Sequence, residues 1–551
     1  MSDQTNALMV FGVASGVIDQ DTIKQIEKAQ KPTVFIPGGA TSITQSADEL
    51  YRHIAPTRQL FLRDGHVCQV GEKEGMLRLE LLKPAAACSR FEDFVNFARR
   101  TKKKDGTTET GPDVISKETA EKYLEAKSRY QLPVIEGLLS CPLITERGGD
   151  IHVVRSGYDP VTKLLITKNV ALPELVSEEA VEFLTGILDD FQFQTPGDYS
   201  RAIASLITPA LKFGGFIKGT IPADAAEADQ SQAGKSYRQQ MIAAIYNDTC
   251  ALVTKPETQG VGGLEETFST ALVEGRPFIQ FDNIRGKFSL QALEAFITAT
   301  GTFPARPAYS KSIQIDPSKF MILISSNGYQ TTVDLARRSS IIRILKRPGF
   351  AFRTWTTPDG DEAGMLEFIQ HHQPLLLASV FAIIREWHRL GKQRTKDTRH
   401  DRREWCQILD WIVQNIFHLS PLMDGHQAAQ ERVANPDHTF LRQLALALSK
   451  CHKMNIALQP KEMFEVCEQE GLYIPGVANE RRHEEAHANP AIGKLMKRVF
   501  GDSDSVEVDL YTITRAKQKV VVEATHSYPA CFYTFTLTEG EEPQQPVNPA
   551  P

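Results

Sequence analysis

Asp229-Gln230-Ser231-Gln232-Ala233-Gly234-Lys235-Ser236 is the stretch whose reading decides the fold. A phosphate-binding loop needs backbone N–H groups aimed at the phosphates, a lysine at the β and γ oxygens, and a hydroxyl for Mg²⁺. Gly234, Lys235 and Ser236 supply the last three positions of such a loop, with Ala233 and Tyr237 on either side. The run from Tyr237 to Tyr246 reads as a helix whose N-terminus faces the phosphates. One position departs from G-x-x-x-x-G-K-S: Asp229 stands where the first glycine belongs. A carboxylate beside a polyphosphate is unfavourable unless it points away. On its own, a Gly-Lys-Ser tripeptide is a weak signal.

Three further segments follow in order. Phe278-Ile279-Gln280-Phe281-Asp282-Asn283 is an apolar strand ending in an acid, 47 residues after Lys235. Asp282 lies where a Mg²⁺-coordinating Walker B aspartate belongs, with Ser236 as the other metal ligand. Asn283 occupies the place where many ATPases carry a glutamate base; an amide takes no proton but can orient water. A second strand ends in Ser325-Ser326-Asn327-Gly328, and Asn327 fits a sensor that positions water against the γ-phosphate. Ten residues on, Arg337 and Arg338 can reach a neighbouring subunit's nucleotide and stabilise transition-state charge. Each segment has a plainer reading alone: an Asp-Asn turn, an Asn-Gly turn, a surface helix pair neutralised by Asp334. Their common order and spacing favour an ATP-hydrolysing site that uses ATP and Mg²⁺, with Lys235, Asp282, Asn283, Asn327, Arg337 and Arg338 as its catalytic set.

The rest of the chain sets limits on that reading. A length of 551 residues suggests three or four domains. A net charge of −6 gives no global bias towards nucleic acid, so any DNA-binding surface must be local. The eight cysteines are scattered without a C-x-x-C pair, which fits reduced thiols in a cytoplasmic protein. Neither a signal peptide nor a run of about 18 apolar residues is visible, so no membrane association is expected.

The domain organisation reads as follows. Residues 1–110 form an N-terminal α+β domain, with strands at Lys31–Gly39 and Met76–Leu81. The charged run Lys102–Gly106 and the Thr-rich residues after it read as a solvated linker. Residues 111–180 hold a helix from Ser116 and short β pieces turned by Gly148-Gly149-Asp150 and Gly157-Tyr158-Asp159-Pro160. In 181–355, helices alternate with the apolar runs Thr249–Val253, Pro277–Phe281 and Phe320–Ser325, the pattern of an α/β core with a covered parallel sheet. Residues 356–435 are helical. Residues 436–537 begin with helices and end with strands, which suggests a winged helix, and the Glu-, Gln- and Pro-rich residues 538–551 read as a disordered tail.

At this point the sequence resembles the AAA+ ring ATPases of phages and integrated mobile elements, which are related to superfamily 3 and poxvirus-type replicative helicases. The resemblance spans roughly residues 130–535 and rests on several segments. They are Gly157-Tyr158-Asp159, the helix from Asp198 to Leu211 with its Leu206-Ile207-Thr208-Pro209, Gly234-Lys235-Ser236, Phe281-Asp282-Asn283, Ser326-Asn327, and Asp334 to Arg343. The Asp-Asn form of Walker B is usual in this group. Asp229 and the plain loop Gln230-Ser231-Gln232 depart from its glycine-rich pattern, which bears on catalytic rate more than on nucleotide binding. The resemblance implies a P-loop AAA+ core, a hexameric or similar ring, ATP sites between subunits, and movement along one strand of DNA. It also implies a pore-lining β-hairpin from Arg306 to Ile315, where Arg306 and Lys311 are candidate strand contacts. Single-stranded or forked DNA and a primase or polymerase are the partners implied; residues 1–120 carry no paired-carboxylate primase signature.

In the C-terminal module, Lys494, Lys497 and Arg498 on the third helix and Arg515, Lys517 and Lys519 on the wing are further DNA candidates. A protein-binding winged helix is the competing view. His483-Glu484-Glu485-Ala486-His487 matches H-E-x-x-H, but its charged surroundings and Pro490 argue for an exposed linker rather than a zinc hydrolase. The leading expectation is an ATP-dependent DNA helicase or translocase in replication of a phage or mobile element. The alternatives are an initiator or loader that uses ATP only to assemble, and a defence-associated ATPase that senses DNA.

Overall fold

The computed structural model describes residues 31–38, 41–103, 106–228, 232–254, 263–284, 287–307, 311–327, 329–347, 349–434, 436–475, 477, 484–508, 511–523 and 526–537. Strand β1 (Thr33–Phe35) and helix α1 (Ile43–Ile54) come first. Ser42 starts α1 with a capping box: its hydroxyl accepts the Gln45 N–H, and the Gln45 side chain accepts the Ser42 N–H. Strands β2 (Leu60–Arg63), β3 (His66–Lys73) and β4 (Met76–Leu81) form an antiparallel meander. Its first turn is Asp64-Gly65, at φ 45° and 74°, a two-residue turn whose twist matches that of paired strands. Helix α2 (Pro84–Glu92), strands β5 (Asn96–Lys102) and β6 (Thr108–Pro112), and helix α3 (Lys117–Glu125) complete a core around Tyr51, Phe91 and Tyr123.

The stretch expected as a linker is instead the turn of the β5–β6 hairpin. The Lys103 N–H donates to Thr107 O, and Thr108 and Thr110 belong to the return strand, where β-branched residues are favoured. Lys104 and Asp105 lie outside the described residues. Short strands follow: β7 (Gly137–Leu139), β8 (Leu143–Arg147), β9 (Asp150–Val154), β10 (Gly157–Asp159) and β11 (Leu164–Ile166).

The central part alternates helix and strand. It runs α4 (Ser177–Gly186), β12 (Gln192–Phe193), α5 (Pro196–Phe213), β13 (Ala223–Ala228), α6 (Lys235–Ile245), β14 (Ala251–Val253) and α7 (Leu264–Glu274). Then come β15 (Phe278–Ile284), β16 (Lys287–Phe288), α8 (Gln291–Thr298), β17 (Phe303–Ala305), β18 (Ile313–Ile315), β19 (Met321–Asn327), β20 (Gln330–Thr331), α9 (Val333–Arg337) and β21 (Ser339–Leu345). Six strands form one sheet in the order β12-β21-β13-β19-β15-β14, parallel throughout except for β12. After the small pair β22 (Trp355–Thr356) and β23 (Glu362–Ala363) come α10 (Met365–His371), α11 (Gln373–Arg389), α12 (Arg403–Asn415) and α13 (His426–Ala434). One face of the sheet packs on α4, α5, α6, α11 and α12, and the other on α7, α8 and α13. Burial on both faces is why β15 and β19 read as apolar runs rather than alternating ones. The architecture is mixed α/β.

Strand β12 covers only Ile344 and Leu345 of β21. Beyond it the Gln194 N–H donates to Arg343 O, and side chains meet further groups of that edge. The Ile341 N–H donates to His426 Nε2 (3.2 Å), Arg201 Nε donates to Ile341 O (2.8 Å), and the Arg343 N–H donates to Asp198 Oδ1 (3.0 Å). His400 Nε2 lies 3.2 Å from Ser339 O, while its Nδ1 accepts the Arg402 N–H. Buried backbone groups left without such partners would weaken the sheet.

The C-terminal part has its own core. Helix α14 (Pro436–Lys450), strand β24 (Ala457–Leu458), helices α15 (Pro460–Gln469) and α16 (Glu485–Phe500), and strands β25 (Ser505–Val508), β26 (Tyr511–Glu523) and β27 (His526–Leu537) enclose it, the strands in the order β24-β27-β26-β25. Residues 538–551 lie outside the described residues. Among the described residues, no helix is long and apolar enough to cross a membrane.

Candidate functional site

In an open parallel sheet, ligands bind beyond the carboxyl ends of the strands. Strand β13 leads there into the Gly-Lys-Ser segment, although Asp229, Gln230 and Ser231 lie outside the described residues. Gln232 and Gly234 both have positive φ, 64° and 89°, and Gly234 is the N-cap of α6. Gly234 is required twice over. Its φ disfavours any Cβ, and a Cβ would come 2.5 Å from Phe352 Cζ and 2.8 Å from Phe191 Cε1. The first-turn N–H groups of a helix have no partner within it, so this end of α6 offers donors and the positive end of its dipole.

The side chains that follow converge. Lys235, 8% exposed, donates from Nζ to Asn327 Oδ1 at 2.5 Å. The Ser236 hydroxyl donates to Asp282 Oδ1. Ser325, which sequence reasoning left out of the site, joins them: its hydroxyl donates to Asp282 Oδ1 at 2.6 Å and accepts the Asn283 N–H at 3.0 Å. Pairing of β15 with β19 is interrupted between Phe281 and Ile284 by a bulge, in which Asn283 is exposed at φ 50°. Asparagine tolerates that left-handed conformation better than glutamate does, which gives the Asp-Asn sequence a conformational reason. Tyr237 sits beside Phe352, with ring centroids 5.3 Å apart, and its hydroxyl oxygen accepts the Leu366 N–H at 2.9 Å. Ala233 is buried.

A buried polar layer fastens α6 to the sheet. Arg238 pairs with Asp224 of β13. Gln239 Nε2 donates to Asp224 Oδ1 (2.9 Å) and to Ile324 O of β19 (3.0 Å), while its Oε1 accepts from Gln280 of β15 (3.0 Å). One glutamine thus ties α6 to three strands and fixes Lys235 and Ser236 relative to Asp282 and Asn327. The signal in the sequence was a polar residue interrupting an apolar strand, at Asp224 and Gln280.

Arg337 and Arg338 are not brought to this cluster. Arg337 is exposed at the end of α9, and Arg338 pairs with Asp334 at 3.5 Å. Ser339, the next residue, pairs with Ala223 at the start of β13, whereas the Gly-Lys-Ser segment follows the other end. About 17 Å of strand therefore separates the arginines from their own chain's Lys235.

The DNA candidates fall into two groups. Arg306 and Lys311 are exposed between β17 and β18, which pair as a hairpin; residues 308–310 lie outside the described residues. Lys311 is 3.7 Å from Glu125. On α16, Lys494 and Lys497 are exposed, whereas Arg498 makes a two-pronged pair with Asp437 at 2.5 Å for each bond. Arg515 is 12% exposed and held by Asp504 at 3.2 Å and by Gly501 O, with its guanidinium over Phe500. Lys517 is exposed on β26, and the Lys519 side chain lies outside the described residues. His483 also lies outside them, while His487 is in the first turn of α16, 2.7 Å from Glu484.

No protein-family model matches the chain, and no curated protein matches it. Among solved structures, it is similar to "SCCmec type IV Cch - active helicase", with a TM-score of 0.29 and 10% sequence identity over 87% of this chain and 98% of that one. At that level of likeness, the reading of function rests on the site's own geometry.

Proposed function

We propose that the chain is an ATP-dependent DNA helicase or translocase that works as a homo-oligomeric ring. The observation that carries this reading is the convergence of Lys235, Ser236, Asp282, Ser325 and Asn327 from one helix start and two strand ends. The donor set suits the groups it would hold. The hydroxyl of Ser236 and the carboxylate of Asp282 are hard oxygen ligands of the kind Mg²⁺ takes. The left-handed Gly234 caps the start of α6, whose first-turn N–H groups suit a phosphate, and Lys235 adds an ammonium at the same end of the helix. Mg²⁺, when bound, neutralises charge on the phosphates. Asn327 stands beside the ammonium, and with a nucleotide bound its amide would be placed to orient an attacking water. Asn283 can orient water in the same way but takes no proton. Exposed Arg306 and Lys311 on the hairpin, and Lys494, Lys497 and Lys517 on the C-terminal module, supply positive charge for a nucleic-acid backbone.

Asn283 also favours a second reading. With no carboxylate at that position to accept the water's proton, an initiator or loader that uses ATP for assembly is consistent with the same site.

The test is Lys235→Ala. DNA-stimulated ATP hydrolysis should fall by about a hundredfold or more, the scale of losing one positioned charge-stabilising donor. Unchanged turnover in this variant would sink the proposal. Strand displacement on a forked duplex by the unaltered chain separates helicase from loader.

A further inference from the structure

The Asp64-Gly65 turn between β2 and β3 presents two neighbouring side chains to the rest of the chain. Arg63, 1% exposed, donates from Nη1 to Val273 O (2.5 Å) and from Nη2 to Leu272 O (2.9 Å). These carbonyls belong to the last turn of α7, where a cation meets the negative end of the helix dipole. Gly275 follows at φ 71°, and a Cβ there would lie 2.8 Å from Leu79 Cδ1 and 3.0 Å from Arg63 Nη1. Arg78 of β4 adds an ion pair to Glu274 at 3.0 Å. The meander is thus seated directly on the end of α7. Three residues after Gly275, β15 begins, the strand that carries Asp282.

Asp64 makes the other contact. Its Oδ2 accepts the Gln314 N–H of β18 at 2.7 Å. One dipeptide therefore holds both the helix that leads into β15 and the hairpin that carries Arg306 and Lys311. Hairpin and helix also pack on each other: the rings of Phe303 (β17) and Phe268 (α7) are 6.4 Å apart. Phe268 in turn lies 5.4 Å from Phe281, the residue before Asp282. Close-packed groups shift as units rather than deforming continuously.

We infer that Asp64 is a positioning residue that keeps the β17–β18 hairpin in register with α7, so that a DNA strand bearing on the hairpin is felt at Asp282. This rests on the proposed ATP-driven action on DNA. Without the Asp64 contact, the hairpin keeps its packing on α7 through Phe303 and Phe268 but loses its tie to the N-terminal meander, so a load on the hairpin moves α7 and β15 less. What the contact needs is a hydrogen-bond acceptor; a negative charge is not required. Asp64 is exposed, its bond goes to a backbone N–H, and its φ of 45° suits glycine as well as aspartate, so replacement by glycine costs the fold little.

The experiment compares the unaltered chain with Asp64→Gly and Asp64→Asn, measuring ATP turnover with and without saturating forked DNA. In Asp64→Gly, which tolerates the left-handed turn, DNA-free turnover, thermal midpoint and half-saturating DNA concentration should stay as they are. Stimulation by DNA should fall about threefold or more, the scale on which single contacts modulate coupling between sites. Asp64→Asn, whose amide oxygen can still accept the Gln314 N–H, should keep full stimulation. Full stimulation in Asp64→Gly overturns the inference, as does equal loss in both variants. Absence of any DNA stimulation in the unaltered chain overturns the underlying reading and the inference with it.

Discussion

Ser325 shows how much one small side chain can organise. It is fully buried, and a single hydroxyl both donates to Asp282 and accepts from the backbone of Asn283. It therefore aims the carboxylate and pins the left-handed bulge at the same time. Ser325→Ala would leave Asp282 with Ser236 as its partner but free to turn, and would leave the Asn283 N–H without its acceptor. Groups that orient a metal ligand typically govern about 10- to 100-fold in metal affinity or activity. Titrating Mg²⁺ against ATP turnover should show the half-saturating Mg²⁺ concentration of Ser325→Ala raised by about tenfold, with the fold unchanged by circular dichroism. A titration curve that superimposes on that of the unaltered chain would remove Ser325 from the site.

Among the elements, β21 depends on its surroundings in an unusual way, because histidines and an arginine stand where a neighbouring strand would be. His400 and His426 are both buried, with ring centroids 5.3 Å apart, and the guanidinium of Arg201 lies close by. Burial pulls His400 down to about 4 and His426 well below its usual value, so both rings are neutral in the folded chain. The unfolded chain protonates these residues near pH 6.5, and the folded chain does not. Their contribution to stability is therefore complete above about pH 6.5 and is lost progressively as pH falls towards 4. For His400 the loss amounts to about 3 kcal/mol over that interval. Trp405, one of four tryptophans, packs on His400 with centroids 5.2 Å apart, so its share of the fluorescence change reports on this edge. Urea midpoints followed by that signal should drop between pH 7 and pH 5, and the drop should be smaller in His400→Gln, whose amide does not titrate. An equal drop in both chains would place the acid sensitivity elsewhere. Strand β21 and its partner β13 were also the elements hardest to read from sequence. In Ala223–Ala228, Asp224 and Glu227 break the apolar pattern and alanine has little strand preference. Asp224 is explained by Ser205, Arg238 and Gln239, and Glu227 by Arg432, all of them far enough along the chain to be invisible to a local pattern. By contrast, β15 and β19 were legible because burial on both faces makes a strand apolar up to its polar tip, with Gln280 the one interruption.

In the whole molecule, the limit of local reading is distance along the chain. The order of the Gly-Lys-Ser segment and the strand tips could be read off, because a parallel α/β sheet places successive strand ends on one side. The seating of Arg63 on α7 joins residues about 210 positions apart, and no periodicity announces it. The same holds for Arg498 and Arg515, which looked like free cations until Asp437 and Asp504 were found against them. Arg337 and Arg338 pose the converse problem. They belong at a phosphate by order in the sequence, yet strand register puts them at the opposite end of β13 from their own Lys235. A single chain cannot close that gap, whereas a ring of copies can, with the arginines of one meeting the nucleotide of the next. Two inactive chains should then repair each other. Lys235→Ala keeps its arginines, and Arg337→Ala/Arg338→Ala keeps its phosphate site, so a mixed ring contains junctions with both halves intact. Turnover of the equimolar mixture should exceed that of either chain alone by about tenfold or more, given the 10³- to 10⁵-fold effect of such arginines. If the mixture does no better than the mean of its two components, the arginines do not act between subunits.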